Sequence, residues 1–324
     1  MNYIVKYFDK NLIKLWFVKF FEELFYSPKF YHYIVIILFL PLSIIYSFLM
    51  FLRRIIAKRE RFDIPIISVG NLIVGGSGKT PFIIEIASRY KYATIISRGY
   101  GRKSRGLLEV SKNGKILTTV EKGGDEAMLM AKSLNHCSVI VSEDRKKAIR
   151  KAIENGAKII LLDDGFNRVD IEKFEIILEP KNIKNYFTLP SGAFREFFFI
   201  SMITKFVNIK AVESKDYKRV VKYKNLTDKM VLVTAIANPQ RLDNYLPKGV
   251  VEKYYLSDHS FFNEEKIKQE MSSCGADSIL VTQKDLVKID NFDLNISVMI
   301  LTLNIDTHIL NKIDSFIKNS KEIV

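Results

Sequence analysis

Positions 31–52 form an apolar run with no Asp, Glu, Lys or Arg, from Tyr31 through Ile34, Leu38, Ile45 and Phe48 to Leu52. About 20 such residues suffice for a helix to cross a hydrocarbon core of about 30 Å. Pro41 sits in the middle and removes one helical hydrogen bond. Lys6, Lys10, Lys14, Lys19 and Lys29 lie on one flank, and Arg53, Arg54, Lys58, Arg59 and Arg61 on the other. Basic residues at both ends leave a spanning helix and a kinked, re-entrant or interfacial one open with equal weight; a buried core hairpin is the plain structural alternative. The cluster after Leu52 places the following chain on the cytoplasmic side by the positive-inside rule. Residues 12–25, with Leu12, Leu15, Trp16, Phe20 and Leu24, read as an amphipathic in-plane helix. Residues 1–30 precede the run and no small-residue cleavage site follows it, so a removable signal peptide is not expected.

Beyond residue 63 the pattern changes to short apolar runs alternating with amphipathic stretches. Residues 64–70 predict a strand, followed by a glycine loop and a helix carrying Phe82, Ile83, Ile86 and Ala87. Residues 93–97 predict a second strand, and a helix with Ala127, Met128, Met130, Ala131 and Leu134 follows Gly124. A strand at 138–142, a helix to about Asn155 and a buried strand from 157 to the aspartates Asp163 and Asp164 complete the alternation. This order predicts an α/β fold, a P-loop doubly wound parallel sheet. Residues 229–324 open with the apolar stretch 230–237 and read as a second, smaller α/β domain. The expected organisation is a membrane-associated helical segment (1–62), a P-loop nucleotide-binding kinase domain (63–216), a polar linker (217–228) and the smaller domain (229–324). Residues 200–207 resemble a strand, and 194–199 are either part of the fold or a lipid contact.

The length of 324 residues allows about two globular domains. With 48% hydrophobic residues and no low-complexity bias, disorder is excluded. Two cysteines, Cys137 and Cys274, make neither a disulfide framework nor a four-ligand zinc site. A formal charge of +14 predicts anionic partners, which are phosphates, an anionic membrane or nucleic acid. Nucleic acid is not expected, because the basic residues are dispersed and no aromatic-interleaved basic motif occurs.

The chemistry begins at Val74-Gly-Gly-Ser-Gly-Lys-Thr-Pro81, directly after a predicted strand and before a predicted helix. That context is what a phosphate-binding loop requires. Gly75, Gly76, Ser77 and Gly78 let backbone amides approach phosphate oxygens, Lys79 reaches the β and γ phosphates, and Thr80 ligates magnesium. The usual first glycine of such loops is replaced by Ile73. Asp163 and Asp164 at a strand tip follow Walker B logic, with a tight Asp-Gly turn as the competing reading. Arg98 and Arg102 in Ser97-Arg-Gly-Tyr-Gly-Arg102 stand where open α/β sheets bind ligands, or are solvated turn residues. Asp125 and Glu126, at a predicted helix start, are natural capping carboxylates.

Taken in order, these motifs resemble the tetraacyldisaccharide 4′-kinase family, the lipid A 4′-kinases. The resemblance rests on the P-loop, Ser97 to Arg102, Gly124-Asp-Glu126, Asp144-Arg145, Asp163-Asp-Gly165 and Leu189-Pro-Ser-Gly-Ala-Phe-Arg-Glu196. It continues through Asn238-Pro239, Ser257-Asp-His-Ser-Phe261 and Val281-Thr-Gln-Lys-Asp285, covering nearly the whole chain. It implies Mg-ATP-dependent phosphorylation of the 4′-hydroxyl of tetraacyldisaccharide 1-phosphate to give lipid IVA, at the cytoplasmic face of the inner membrane, by a protein expected to be a monomer. It further implies Asp125 as catalytic base paired with His259, Lys79 on the ATP phosphates, Arg145 on the transferring phosphoryl group, and Thr80, Glu126, Asp163 and Asp164 around magnesium. Arg98, Arg102 and Arg168 are the substrate-contact candidates.

Three departures stand out: Asn167-Arg168 in place of Gln-His, Gln283 in place of Glu, and Phe197 without the customary proline. The rival from another class is a membrane-bound regulatory P-loop NTPase. The relevant loops of partitioning and targeting NTPases usually carry a lysine where this chain has Val74. A non-catalytic anion-binding module is the third reading, against which Lys79, Thr80 and Asp163 count.

Overall fold

A computed structural model describes residues 17, 19–74, 78–179, 183–197, 206–289 and 291–322. The apolar run forms one helix, α1 (His32–Ile56), which continues through Pro41. Its buried residues, His32, Ile36, Ser43, Ser47 and Arg54, recur at intervals of four and seven and so share one stripe. The rest of its surface exposes Ile34, Ile37, Leu38, Ile45, Phe48 and Leu49.

The buried stripe is polar because its partners are polar. Ser43 Oγ donates to Thr188 O at 3.0 Å, the Ser47 and Thr188 hydroxyls lie 2.6 Å apart, and Ser191 Oγ donates to Ile36 O at 2.9 Å. At the far end, Arg54 grips Glu196 with Nε and Nη2 at 2.7 and 2.6 Å, both side chains almost wholly removed from water. By length and composition α1 can cross a membrane. In this fold one of its faces is already fastened to the loop at 188–196.

Eight strands form the first sheet: β1 (Ile66–Gly70), β2 (Ala93–Ser97), β3 (Leu108–Lys112), β4 (Lys115–Ile116), β5 (Ser138–Val141), β6 (Ile159–Asp163), β7 (Phe174–Glu179) and β8 (Ile209–Val212). Their spatial order is β4, β3, β5, β2, β6, β1, β7, β8. From β5 to β8 every pairing is parallel, and β3 with β4 adds an antiparallel edge. Strands β1, β2, β5 and β6 are buried along their whole length, which is why they read as continuous apolar runs.

The second sheet contains β9 (Tyr217–Lys224), β10 (Met230–Thr234), β11 (Val250–Tyr255), β12 (Ser278–Thr282) and β13 (Ile296–Ile305) in the order β11, β10, β12, β13, β9. Residues 217–224, expected to lie in a linker, form a strand of this sheet, antiparallel to β13 from Tyr217 opposite Ile305 to Lys224 opposite Val298. Lysines at 218, 222 and 224 face water while Val221 and Tyr223 pack inward, so the stretch reads as polar although it alternates. Charge on an outward face is how edge strands resist mispairing. The expected strand at 200–207 falls largely outside the described residues.

Helices α2 (Lys79–Ala87), α3 (Asp125–Ser133) and α4 (Arg145–Glu154) cover the first sheet, and α5 (Glu264–Cys274) packs on the second. The last described helix, α7 (Thr307–Glu322), follows β13, with the short α6 (Gln283–Leu286) after β12. Ile309, Ile313 and Ile317 of α7 bury into the same core as Phe82 and Ile86 of α2 and Ile67, Ile95 and Leu161 of the first sheet. The two sheets thus share one apolar centre, with Phe82 meeting Tyr217 edge to face at 5.3 Å.

Candidate active site

The strand tips of β1, β2 and β6 are neighbours, and their loops assemble the first half of the site. Gly78, at φ +76°, turns the chain into α2, a conformation that an L side chain adopts only with strain. A Cβ there would also lie 3.0 Å from Arg219 Nη2 of β9, so the second sheet touches the end of the phosphate loop. Gly75, Gly76 and Ser77 lie outside the described residues. Lys79 and Thr80 occupy the first turn of α2.

Lys79 Nζ lies 3.1 Å from Asn71 Oδ1 and 3.6 Å from Asp164 Oδ1. Asp164 holds a left-handed φ of +52° and accepts from Arg195 Nη1 at 3.1 Å. Asp163 pairs in register with Val69 of β1 and takes a hydrogen bond from Ser97 Oγ at 2.9 Å. Burial pushes the Asp163 carboxyl up to about 6; the nearby Glu126 charge adds to this, while Lys79 and the Ser97 hydroxyl pull the other way. Arg145, itself buried, donates from Nη2 to Asp163 O at 3.4 Å and from Nη1 to Ser142 O. Its Nε is buried without a hydrogen-bond partner among the described residues.

The second half of the site spans both sheets. Gly124, at φ +89°, delivers the chain into α3, and Asp125 is its first helical residue rather than its cap. Asp125 Oδ1 accepts from the Glu126 backbone N–H at 2.9 Å. Its Oδ2 lies 2.8 Å from His259 Nδ1, 3.2 Å from Lys288 Nζ and 3.7 Å from Lys284 Nζ. Burial raises the Asp125 pKa, but the His259 hydrogen bond and the Lys284 and Lys288 charges outweigh it and hold the carboxyl well below the ordinary range. His259 has φ +61° and donates its backbone N–H to Ala235 O at 3.1 Å. Behind it, the fully buried Asp285 accepts from Ala235 N at 3.0 Å and from the hydroxyls of Thr234 and Thr282, each at 2.7 Å.

Lys284 and Lys288 were not among the expected site residues. The 281–285 motif contained the first without indicating a task, and a spacing of four was the available signal that the second shares its face. The remaining arginines separate. Arg98 is exposed at the β2 tip. Arg102 has its guanidinium covered, with Nη2 on Glu143 at 2.6 Å and on Gly106 O, which makes it a loop brace. Arg168 pairs with Asp170 at 3.1 Å.

Among the described residues, no group of three or more His, Cys, Asp or Glu side chains is placed to hold a metal by itself. Magnesium does not need one, since it keeps several waters and binds through one or two carboxylates plus phosphate oxygens. The hard oxygen donors of Thr80, Asp163 and Glu126 suit it, and a buried carboxyl with its pKa pushed upward by burial and a like charge is what a cation would relieve.

The family model described as tetraacyldisaccharide-1-P 4′-kinase matches residues 35–321. The chain belongs to this family. Proteins named tetraacyldisaccharide 4′-kinase are 49% identical in Helicobacter acinonychis (92% of this chain, 95% of that one) and 46% identical in Aliarcobacter butzleri (96% and 100%). One from Campylobacter jejuni is 40% identical over 93% of this chain and 96% of its own. Among solved structures, LpxK from Aquifex aeolicus in complex with ATP is similar, with TM-score 0.68 and 26% identity over 88% of this chain and 99% of that one. A 4′-kinase fold therefore accounts for both sheets, and for the apolar helix from residue 35 onward.

Proposed function

We propose that this protein transfers the γ-phosphoryl group of ATP to the 4′-hydroxyl of tetraacyldisaccharide 1-phosphate, giving lipid IVA in lipid A biosynthesis. The observation that carries the reading is the Asp125–His259 pair, 2.8 Å apart, supplied by opposite sheets in a site that also contains the P-loop lysine. A phosphoryl acceptor needs a positioned group to take its proton, and phosphoryl transfer is otherwise mostly placement and charge stabilisation.

On this reading Lys79 and the loop at 75–80 hold the ATP phosphates, and Arg145 faces the transferring group. Asp125, oriented by His259, receives the hydroxyl proton. Thr80, Glu126, Asp163 and Asp164 are the residues that would hold magnesium, which when bound supplies charge neutralisation on the phosphates. Arg98 is the better placed lipid contact; Arg102 and Arg168 brace loops.

The exposed apolar face of α1, together with a net charge of +14, supports residence on the cytoplasmic face of an anionic inner membrane. Because the opposite face is fastened to the loop at 188–196, an in-plane attitude for α1 fits better than a free crossing. The proposed organisation keeps 63–216 and 229–324 as the two units, with 217–224 joined to the second, and takes the protein as a monomer.

The decisive experiment is transfer of labelled γ-phosphate from Mg-ATP to tetraacyldisaccharide 1-phosphate by the detergent-purified protein, with Asp125→Ala as control. Labelled lipid that disappears in the control is expected. ATP hydrolysis indifferent to the lipid would overturn the reading. For the membrane, the double substitution Ile37→Glu with Ile45→Glu on the exposed face should lower binding to anionic vesicles while leaving folding intact, and unchanged binding would refute the surface.

A further inference from the structure

Lys284 stands among three carboxylates without closing on any of them. Its Nζ lies 3.4 Å from Glu126 Oε1, 3.7 Å from Asp125 Oδ2 and 3.9 Å from Asp258 Oδ1. A charge-assisted N–H···O bond closes to about 2.7–2.9 Å, so none of these three is a tight pair. Lys288 differs in its burial rather than in the closeness of its pairs. Its side chain is almost wholly buried, 3.2 Å from Asp125 Oδ2 and 3.2 Å from Ser260 O.

Asp125 is satisfied without Lys284, because Oδ1 has the Glu126 N–H and Oδ2 has His259 and Lys288. The Lys284 ammonium therefore hangs among three carboxylates within reach of the acceptor end of the site, partly open to solvent. An ammonium with three loose contacts can exchange one of them for a phosphoryl oxygen at little cost.

We propose that Lys284 is a catalytic residue that contacts the transferring phosphoryl group beside Asp125, delivering positive charge from the second unit where negative charge moves in the transition state. The inference rests on the kinase reading above. In the step, the 4′-hydroxyl oxygen bonds to the γ-phosphorus while the bridging bond from the γ-phosphorus to the β–γ oxygen breaks. ADP departs with that electron pair, and the hydroxyl proton passes to the Asp125–His259 pair. Lys284 makes and breaks no covalent bond. It neutralises an equatorial oxygen in addition to the P-loop lysine, which grips the nucleotide in ground state and transition state alike. A group acting mainly in the transition state lowers the barrier without tightening ATP binding.

The test compares parent, Lys284→Met and Lys284→Arg in γ-phosphoryl transfer, with ATP affinity from calorimetry and thermal melting measured alongside. Lys284→Met is expected to lower kcat by about 100-fold or more, with ATP Kd and melting temperature close to those of the parent. Lys284→Arg, which keeps the charge, should recover a measurable part of the rate. A kcat for Lys284→Met within about threefold of the parent would overturn the proposal while leaving the kinase assignment standing. So would a rate loss matched by an equal loss of ATP affinity, or a Lys284→Arg variant that folds as the parent does yet is as slow as Lys284→Met. A parent protein that transfers no phosphate to the lipid would overturn the kinase reading itself, and this inference with it.

Discussion

The two carboxylate corners of the site are built in opposite ways. Asp163 and Asp164 take their partners, Ser97, Lys79 and Arg195, from β2, the start of α2 and the loop at 188–196. Asp125 takes all its side-chain partners, His259, Lys284 and Lys288, from the second unit. Among the described residues the Asp163 and Asp164 corner is thus partnered within one unit, although Arg219 of β9 reaches the end of the phosphate loop, whereas the acceptor end exists only where the two units meet. Substitutions on the two sides should separate binding from chemistry.

The largest effect is expected at the preassembled end. Lys79→Ala removes a charge from the phosphate site and should reduce kcat/KM by about 1,000-fold or more, with ATP affinity falling too; titration calorimetry alongside the transfer assay checks both. Asp125→Asn keeps the shape but not the charge, and kcat should fall by about 100- to 1,000-fold while ATP affinity changes little. Equal losses in both would erase the distinction between the corners. Asp285→Asn reaches the acceptor end indirectly, since an amide cannot accept from Thr234, Thr282 and Ala235 together. A fall in kcat of about tenfold is expected, with nucleotide affinity unmoved, because the damage is to the segment that carries His259. The smallest change is Ser43→Ala in the α1 seam, which should cost about 1 kcal/mol in chemical denaturation and leave both kinetic constants alone. A large loss of activity there would show that the seam reaches the chemistry.

The legibility of the molecule follows the same division. Residues 93–97 and the strand ending at Asp163 were readable because a parallel strand buried on both faces is a short continuous apolar run, and the P-loop because its residues are contiguous. The antiparallel hairpin of β3 and β4 was not read as strands, and β9 was read as a β-like linker rather than a sheet strand, since their exposed faces carry charge that masks the alternation. No periodicity connects Asp125 to His259 across 134 positions, and that pairing entered through family resemblance alone. Lys288 had no motif of its own. What ties it to the site is its burial against Asp125, a property of the packed chain that local sequence does not encode.

Helix α7 imposes an order on how this protein comes into being. The ribosome releases the strands of the first sheet long before Ile309, Ile313 and Ile317, yet those three side chains complete the core on which that sheet rests. Domains made during synthesis ordinarily fold as they emerge. Here the core shared by the first sheet stays incomplete until α7 has been made. Throughout that interval the nascent chain is exposed to chaperones and proteases, and a stop codon before residue 307 should yield a product that is cleared rather than a smaller ATP-binding protein.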